Sequence, residues 1–100
     1  MPNLLTGTIN ASPPTNTLVG VASAVAVSAN LNRQGLVLTN VSTSTMYLAL
    51  MGFTATLHAG IVLNPSGGTW VLDEYTYNNE PINAIAHSAG NILCVQEFIR

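Results

Sequence analysis

Charge is what this sequence has least of. Among one hundred residues only Arg33, Asp73, Glu74, Glu80, Glu97 and Arg100 carry it at neutral pH, where an average soluble domain would have about 25% charged residues. There is no lysine, and two arginines cannot build a patch that neutralises phosphates, so a nucleic-acid partner is not expected. Long apolar runs are missing too. A membrane-spanning helix needs about 18 consecutive apolar residues, and the richest stretch, Leu18 to Leu31, is broken by Gly20, Ser23, Ser28 and Asn30. No membrane partner is expected. A single cysteine, Cys94, excludes an internal disulfide and leaves the redox compartment open. Residues 1–16 lack the positive segment and continuous apolar core of a signal peptide. Without such a signal, the glycosylation-like triplets Asn10-Ala11-Ser12 and Asn40-Val41-Ser42 carry no weight. Nowhere does a helical period of 3.6 persist.

What the chain has is apolar side chains. Hydrophobic residues make up 48% of it, and the mean hydropathy is +0.40. One hundred residues make one domain with one core. A lone monomer of this size needs a charged surface to stay soluble. Scarce charge without a membrane segment therefore points to a surface covered by partners, in an oligomer or a larger assembly.

The chain divides at its turn residues. Residues 1–16, rich in Asn, Thr and Ser and carrying Pro2, Pro13 and Pro14, read as an extended N-terminal arm. It is either a frayed terminus or an arm that orders against a neighbouring copy. Residues 17–100 read as one β domain. Strands are expected at Thr17–Val21, Ser23–Ala29 and Leu36–Asn40, with Thr45–Leu50 as a hairpin partner across a tight turn at Val41–Ser44. Ile61–Leu63 and Thr69–Asp73 flank Asn64-Pro65-Ser66-Gly67-Gly68, the strongest turn signal, read as a hairpin turn. Ile82–Ala86 and Ile92–Ile99 complete the series. Seven or eight short strands at this spacing predict an all-β antiparallel sandwich, jelly roll or small barrel.

Strand alternation adds a second constraint. Met46, Leu48 and Leu50 fall on one face of their strand and Tyr47, Ala49 and Met51 on the other; Ile92, Cys94 and Phe98 oppose Leu93, Val95 and Ile99. A sheet with one wet face alternates apolar with polar, whereas these strands are apolar on both. One face takes the core, and symmetric self-association is the simplest cover for the other.

Chemistry-bearing residues are sparse. His58 and His87, with Asp73, Glu74 or Glu80, are too few and too scattered to read as a metal centre, and are expected as solvent-exposed loop histidines. Adjacent Asp73 and Glu74 point to opposite faces of a strand, so they make no acid/base pair. Cys94 is read into a strand interior as a small hydrophobe, and no nucleophile motif accompanies it. The Pro65–Gly68 turn lacks the lysine and helix of a phosphate loop. Catalytic residues, cofactors and metals are therefore not expected, and the chain is not read as an enzyme. Tyr75 and Tyr77, in a polar loop, either cap the core or face a partner or sugar, since tyrosine is enriched at interfaces.

Several segments occur in a suggestive order: Asn32-Arg33-Gln34-Gly35-Leu36-Val37-Leu38-Thr39-Asn40, then Met46–Leu50, Gly60-Ile61-Val62-Leu63-Asn64-Pro65 with Gly67-Gly68-Thr69-Trp70, Ile82-Asn83-Ala84-Ile85-Ala86 and Val95-Gln96-Glu97-Phe98. This order resembles a family of small β-sandwich proteins encoded in the structural regions of tailed bacteriophages. The resemblance implies a virion component made in the host cytoplasm: a homotrimeric capsid decoration (cement) protein seated on the major capsid protein lattice. The alternative is a tail- or fibre-associated module binding receptor or carbohydrate through Tyr75, Tyr77 and His58; the free-standing length favours decoration. The resemblance transfers no catalytic residue. It implies that Arg33 anchors the turn before the first long strand on a C-terminal carboxylate such as Glu97. The candidate interface residues are Pro13, Pro14, Arg33, Tyr47, Tyr75 and Tyr77. A third possibility, a cupin-like enzyme, requires a His/His/carboxylate metal centre.

Overall fold

The computed structural model describes residues 10–72 and 78–100. These form nine strands and no helix: β1 (Asn10–Ala11), β2 (Thr15–Val19), β3 (Ala24–Val27), β4 (Arg33–Asn40), β5 (Met46–Ala49), β6 (Ile61–Leu63), β7 (Gly68–Val71), β8 (Ile82–Ala86) and β9 (Asn91–Ile99). All pairings are antiparallel. The first sheet runs β2-β9-β4-β7, with β1 extending β2 along the same edge of β9; the second runs β3-β8-β5-β6. Apart from β1, this is the order of an eight-stranded jelly roll, the all-β sandwich that the strand spacing predicts.

The core lies between the sheets, and strand parity selects it. Leu36 and Leu38 from β4, Leu93 and Val95 from β9, and Val19 from β2 point inward from the first sheet. Met46 and Leu48 from β5, Leu63 from β6, and Ile82, Ala84 and Ala86 from β8 meet them from the second. Burying each large side chain contributes about 1.5–3 kcal/mol. Cys94 lies on the other face of β9 from Leu93 and Val95, half-buried, with its thiol donating to Asn16 Oδ1 at 3.4 Å. The expectation of an interior cysteine is corrected: the core takes the leucine–valine face.

Two expected hairpins are also corrected. β4 and β5 do not pair, and neither do β6 and β7; each connection carries the chain from one sheet to the other. Asn40 explains how these crossings hold. It is fully buried, and its Nδ2 donates to the carbonyls of Ser44 (2.8 Å) and Leu63 (3.0 Å) while its Oδ1 accepts from the Ser42 amide and hydroxyl. The backbone carbonyl of Asn40 accepts from Gly67 N at 2.8 Å. One residue thus ties both crossings at one end of the sandwich. At Gly68 a side chain would collide with the Asn64 backbone, so the second crossing needs glycine there.

Arg33 governs the opposite end. Its side chain is 0% exposed; Nε donates to Glu97 Oε2 at 2.6 Å, Nη1 to the carbonyls of Asn78 and Glu80, and Nη2 to that of Ser28. The partner that the resemblance implied is therefore the one the fold supplies.

Residues 10–16 lie along the chain's own β9. Ser12 N donates to Glu97 O at 2.8 Å, and Gln96 Nε2 to Ser12 O at 3.2 Å. Between Ala11, opposite Phe98, and Thr15, opposite Val95, the arm holds one residue more than its partner. That irregularity coincides with Pro13 and Pro14, which have no amide to donate.

Arg33→Ala is expected to cost about 3–5 kcal/mol, because Glu97 and three carbonyls lose their partner together. Urea unfolding measures it; a loss below about 1 kcal/mol would show that the network is dispensable.

Candidate functional site

Two outer surfaces remain once the core is assigned, and they differ. On the second sheet, Tyr47, Ile85 and Asn83 point away from the core by the same parity that turns Met46, Leu48 and Ala84 inward. The segment 51–60 folds back over them. Ala55 packs on Tyr47 and Ile85 in a small second cluster, with Ala49 against it. Backbone and side-chain bonds hold the segment: Gly52 N to Pro81 O (2.8 Å), Asn83 Nδ2 to Phe53 O (2.7 Å), and Ala55 N to Ser23 Oγ (2.9 Å). Its return at Gly60 has φ 84° and passes so near the Leu48 carbonyl that no side chain fits. The chain itself thus covers Tyr47 and Ile85 on this face, while Val25 and Val62 on it stay exposed.

His58, at the end of this segment, and His87, just past β8, converge on Tyr47. The phenol oxygen lies 3.2 Å from His58 Nδ1 and 3.3 Å from His87 Nε2, and the imidazole centroids are 5.0 Å apart. Both histidines are exposed as residues, as expected, but their rings face the buried Tyr47 hydroxyl rather than standing free. A hydroxyl has one proton, so it donates to one imidazole and accepts from the other. The two neutral histidines must then share a tautomer: both carry the proton on Nε2, or both on Nδ1.

Among the described residues, no segment folds over the outward face of the first sheet in this way. Its outward positions are Asn16 and Leu18 on β2, Ile92, Cys94, Gln96 and Phe98 on β9, Val37 and Thr39 on β4, and Thr69 and Val71 on β7. None is charged. Leu18 stands directly opposite Ile92, and Val41, whose amide donates to Ile92 O, extends that row. These three are 73%, 38% and 50% exposed, and Val71 is 54% exposed. A shallow depression lined by Pro14, Val37, Thr39, Cys94 and Gln96 lies beside them.

The candidate interface residues distribute unevenly over these surfaces. Pro13 and Pro14 are exposed beside the first sheet. Arg33 and Tyr47 are buried within the chain, where one serves the ion pair and the other the histidine contact. Tyr75 and Tyr77, with Asp73 and Glu74, lie outside the described residues. Glu80 gives its carbonyl to Arg33, at the far end from Asn40. Among the described residues no three His, Cys, Asp or Glu side chains come together. Leu18, Val41 and Val71 were not singled out from sequence; the signal was their parity opposite Leu93 and Leu38.

No family model matches the sequence, and no characterised protein sequence matches it. One solved structure does. A chain from a structure described as Bacillus endospore appendages that form a novel family of disulfide-linked pili superposes with a TM-score of 0.55 at 13% identity. The match covers 98% of this chain and 97% of that one. The likeness establishes the fold.

Replacing Asn83 with Ala removes the staple on Phe53 and is expected to cost roughly 1 kcal/mol. Amide exchange at Gly52 and Ala55 should rise while β4 and β9 stay protected; unchanged exchange would mean that the segment is held elsewhere. Nitrogen-15 shifts of His58 and His87 should report one common tautomer, and opposite tautomers would break the shared hydroxyl contact.

Proposed function

We propose that this chain is a structural subunit that acts by assembling with copies of itself through the outer face of the first sheet, and not by catalysis. One observation carries the proposal: among the described residues, the outward positions of four adjacent strands carry no charge, and Leu18, Val41, Ile92 and Val71 are exposed there. Leu18, Ile92 and Val41 lie side by side on β2, on β9 and just past β4, with Val71 beyond the intervening Thr39 and Thr69, and exposed apolar clusters mark contact surfaces. Like surfaces meeting about a symmetry axis give each copy the same contact.

Two likenesses support two readings of the form of the assembly. The fold matches a subunit of an extracellular appendage, which favours a surface filament. Disulfide linkage does not carry over, because through Cys94 alone each copy can make one interchain bond, and that yields a pair rather than a polymer. A filament of this chain is therefore held by packed faces and strand edges. The second reading, favoured by the ordered motifs around Arg33–Asn40 and Ile82–Ala86 and by a jelly-roll topology shared with capsid proteins, is a trimeric decoration protein on a phage capsid lattice. There, many weak symmetric contacts give the binding strength.

Electron microscopy of the purified chain separates the two: continuous filaments favour the appendage, and discrete trimers that bind capsids favour decoration. Leu18→Glu and Val71→Glu place charge on the open face at positions where the fold tolerates it, and each is expected to alter stability by no more than about 0.5 kcal/mol. Both should dissolve the assembly. Assemblies that survive both substitutions would rule out the first-sheet face as the contact.

A further inference from the structure

We propose that Tyr47, His58 and His87 form a binding site for a divalent late transition-metal ion, with Zn2+ as the probe. Three potential ligand atoms converge from three separate elements: the phenol oxygen from β5, Nδ1 from the covering segment, and Nε2 from the turn after β8. Zinc–nitrogen and zinc–oxygen bonds run about 2.0–2.1 Å, so neighbouring ligands in a tetrahedral shell lie about 3.3 Å apart. The two measured separations from the phenol oxygen, 3.2 and 3.3 Å, are the edges of such a shell. A cation seated on these three atoms keeps one position open on the solvent side, where both histidines are exposed. Water completes the set.

The backbone at His58 has φ 65°, in the left-handed region that favours glycine, as does Met51 (φ 59°) in the same segment. The segment is already stapled at Gly52, Phe53 and Ala55, so the ring is not needed to attach it.

The chemistry balances without a redox partner. In the shared tautomer only one of His58 Nδ1 and His87 Nε2 has its lone pair free, so binding requires the other imidazole to move its proton to its second ring nitrogen, after which both donate to the cation. The cation replaces the Tyr47 hydroxyl proton, which leaves to solvent as coordinated waters are shed. No carboxylate among the described residues shares the site, so the phenolate is the anionic ligand and the bound site carries one net positive charge.

Titration calorimetry of the whole chain with zinc chloride near neutral pH, run in two buffers of different ionisation enthalpy, tests this. Expected are one Zn2+ per chain, proton release on binding, and a higher melting temperature. His58→Asn, which tolerates the left-handed backbone, and His87→Gln should each weaken binding by about tenfold or more. Tyr47→Phe should lower the number of protons released per Zn2+ bound by about one, a readout that a purely structural tyrosine leaves unmoved. If a variant fails to fold, the wild-type chain still decides: Zn2+ should shift the His58, His87 and Tyr47 ring resonances together. Zinc that fails to bind, shifts other residues instead, or binds the histidine variants equally well overturns the site.

Discussion

The buried guanidinium of Arg33 is the constraint on which the rest of this structure depends. A cation removed from water must find a partner for its charge and acceptors for its donors. Here Glu97 supplies the charge, and carbonyls of Ser28, Asn78 and Glu80 supply acceptors, so one side chain fixes β4, the end of β9 and two connections relative to one another. At the other end of the same strand, buried Asn40 ties the crossings that follow β4 and β6. Eight residues of extended chain set the two about 23 Å apart. Between these polar clamps the inward side chains of β4 and β9 are leucine and valine, and they hold the sheets face to face.

That arrangement places two of the six charges inside the fold. The described outward positions of the first sheet carry none, while the second sheet draws on residues 51–60 for part of its cover. The asymmetry gives the assembly proposal its direction. The chain covers Tyr47 and Ile85 on the second sheet and leaves Val25 and Val62 exposed there; among the described residues nothing comparable lies over the first sheet. Charge scarcity alone points to no particular surface, and the sheet geometry supplies the proposal with a candidate one.

Much of the fold was legible because strand spacing and parity are local properties. The segments at 36–40, 61–63, 82–86 and 92–99 became strands, and Leu36, Leu38, Met46 and Leu48 point where alternation puts them. Which strands pair was not legible. The turns after Asn40 and Leu63 carry Ser and Gly residues that serve a hairpin and an inter-sheet crossing equally well, and only the distant partners β9 and β8 decide between them. Cys94 was misplaced for a related reason: both faces of β9 are apolar at that point, so parity gave two faces without saying which was inner. The meeting of Tyr47, His58 and His87 had no spacing signal either, because it is made by a segment folding back on its own sheet. Arg33 and Glu97 stand 64 residues apart; their pairing was suggested by a family resemblance and became a physical statement once the guanidinium was found fully buried.

The most direct test of self-assembly is the mass of the wild-type chain in solution, followed by sedimentation equilibrium over a dilution series. The structure predicts a species at a multiple of 10.5 kDa that dissociates on dilution. A single monomer of that mass at every concentration would contradict it, and would mean that the open face of the first sheet needs no second copy.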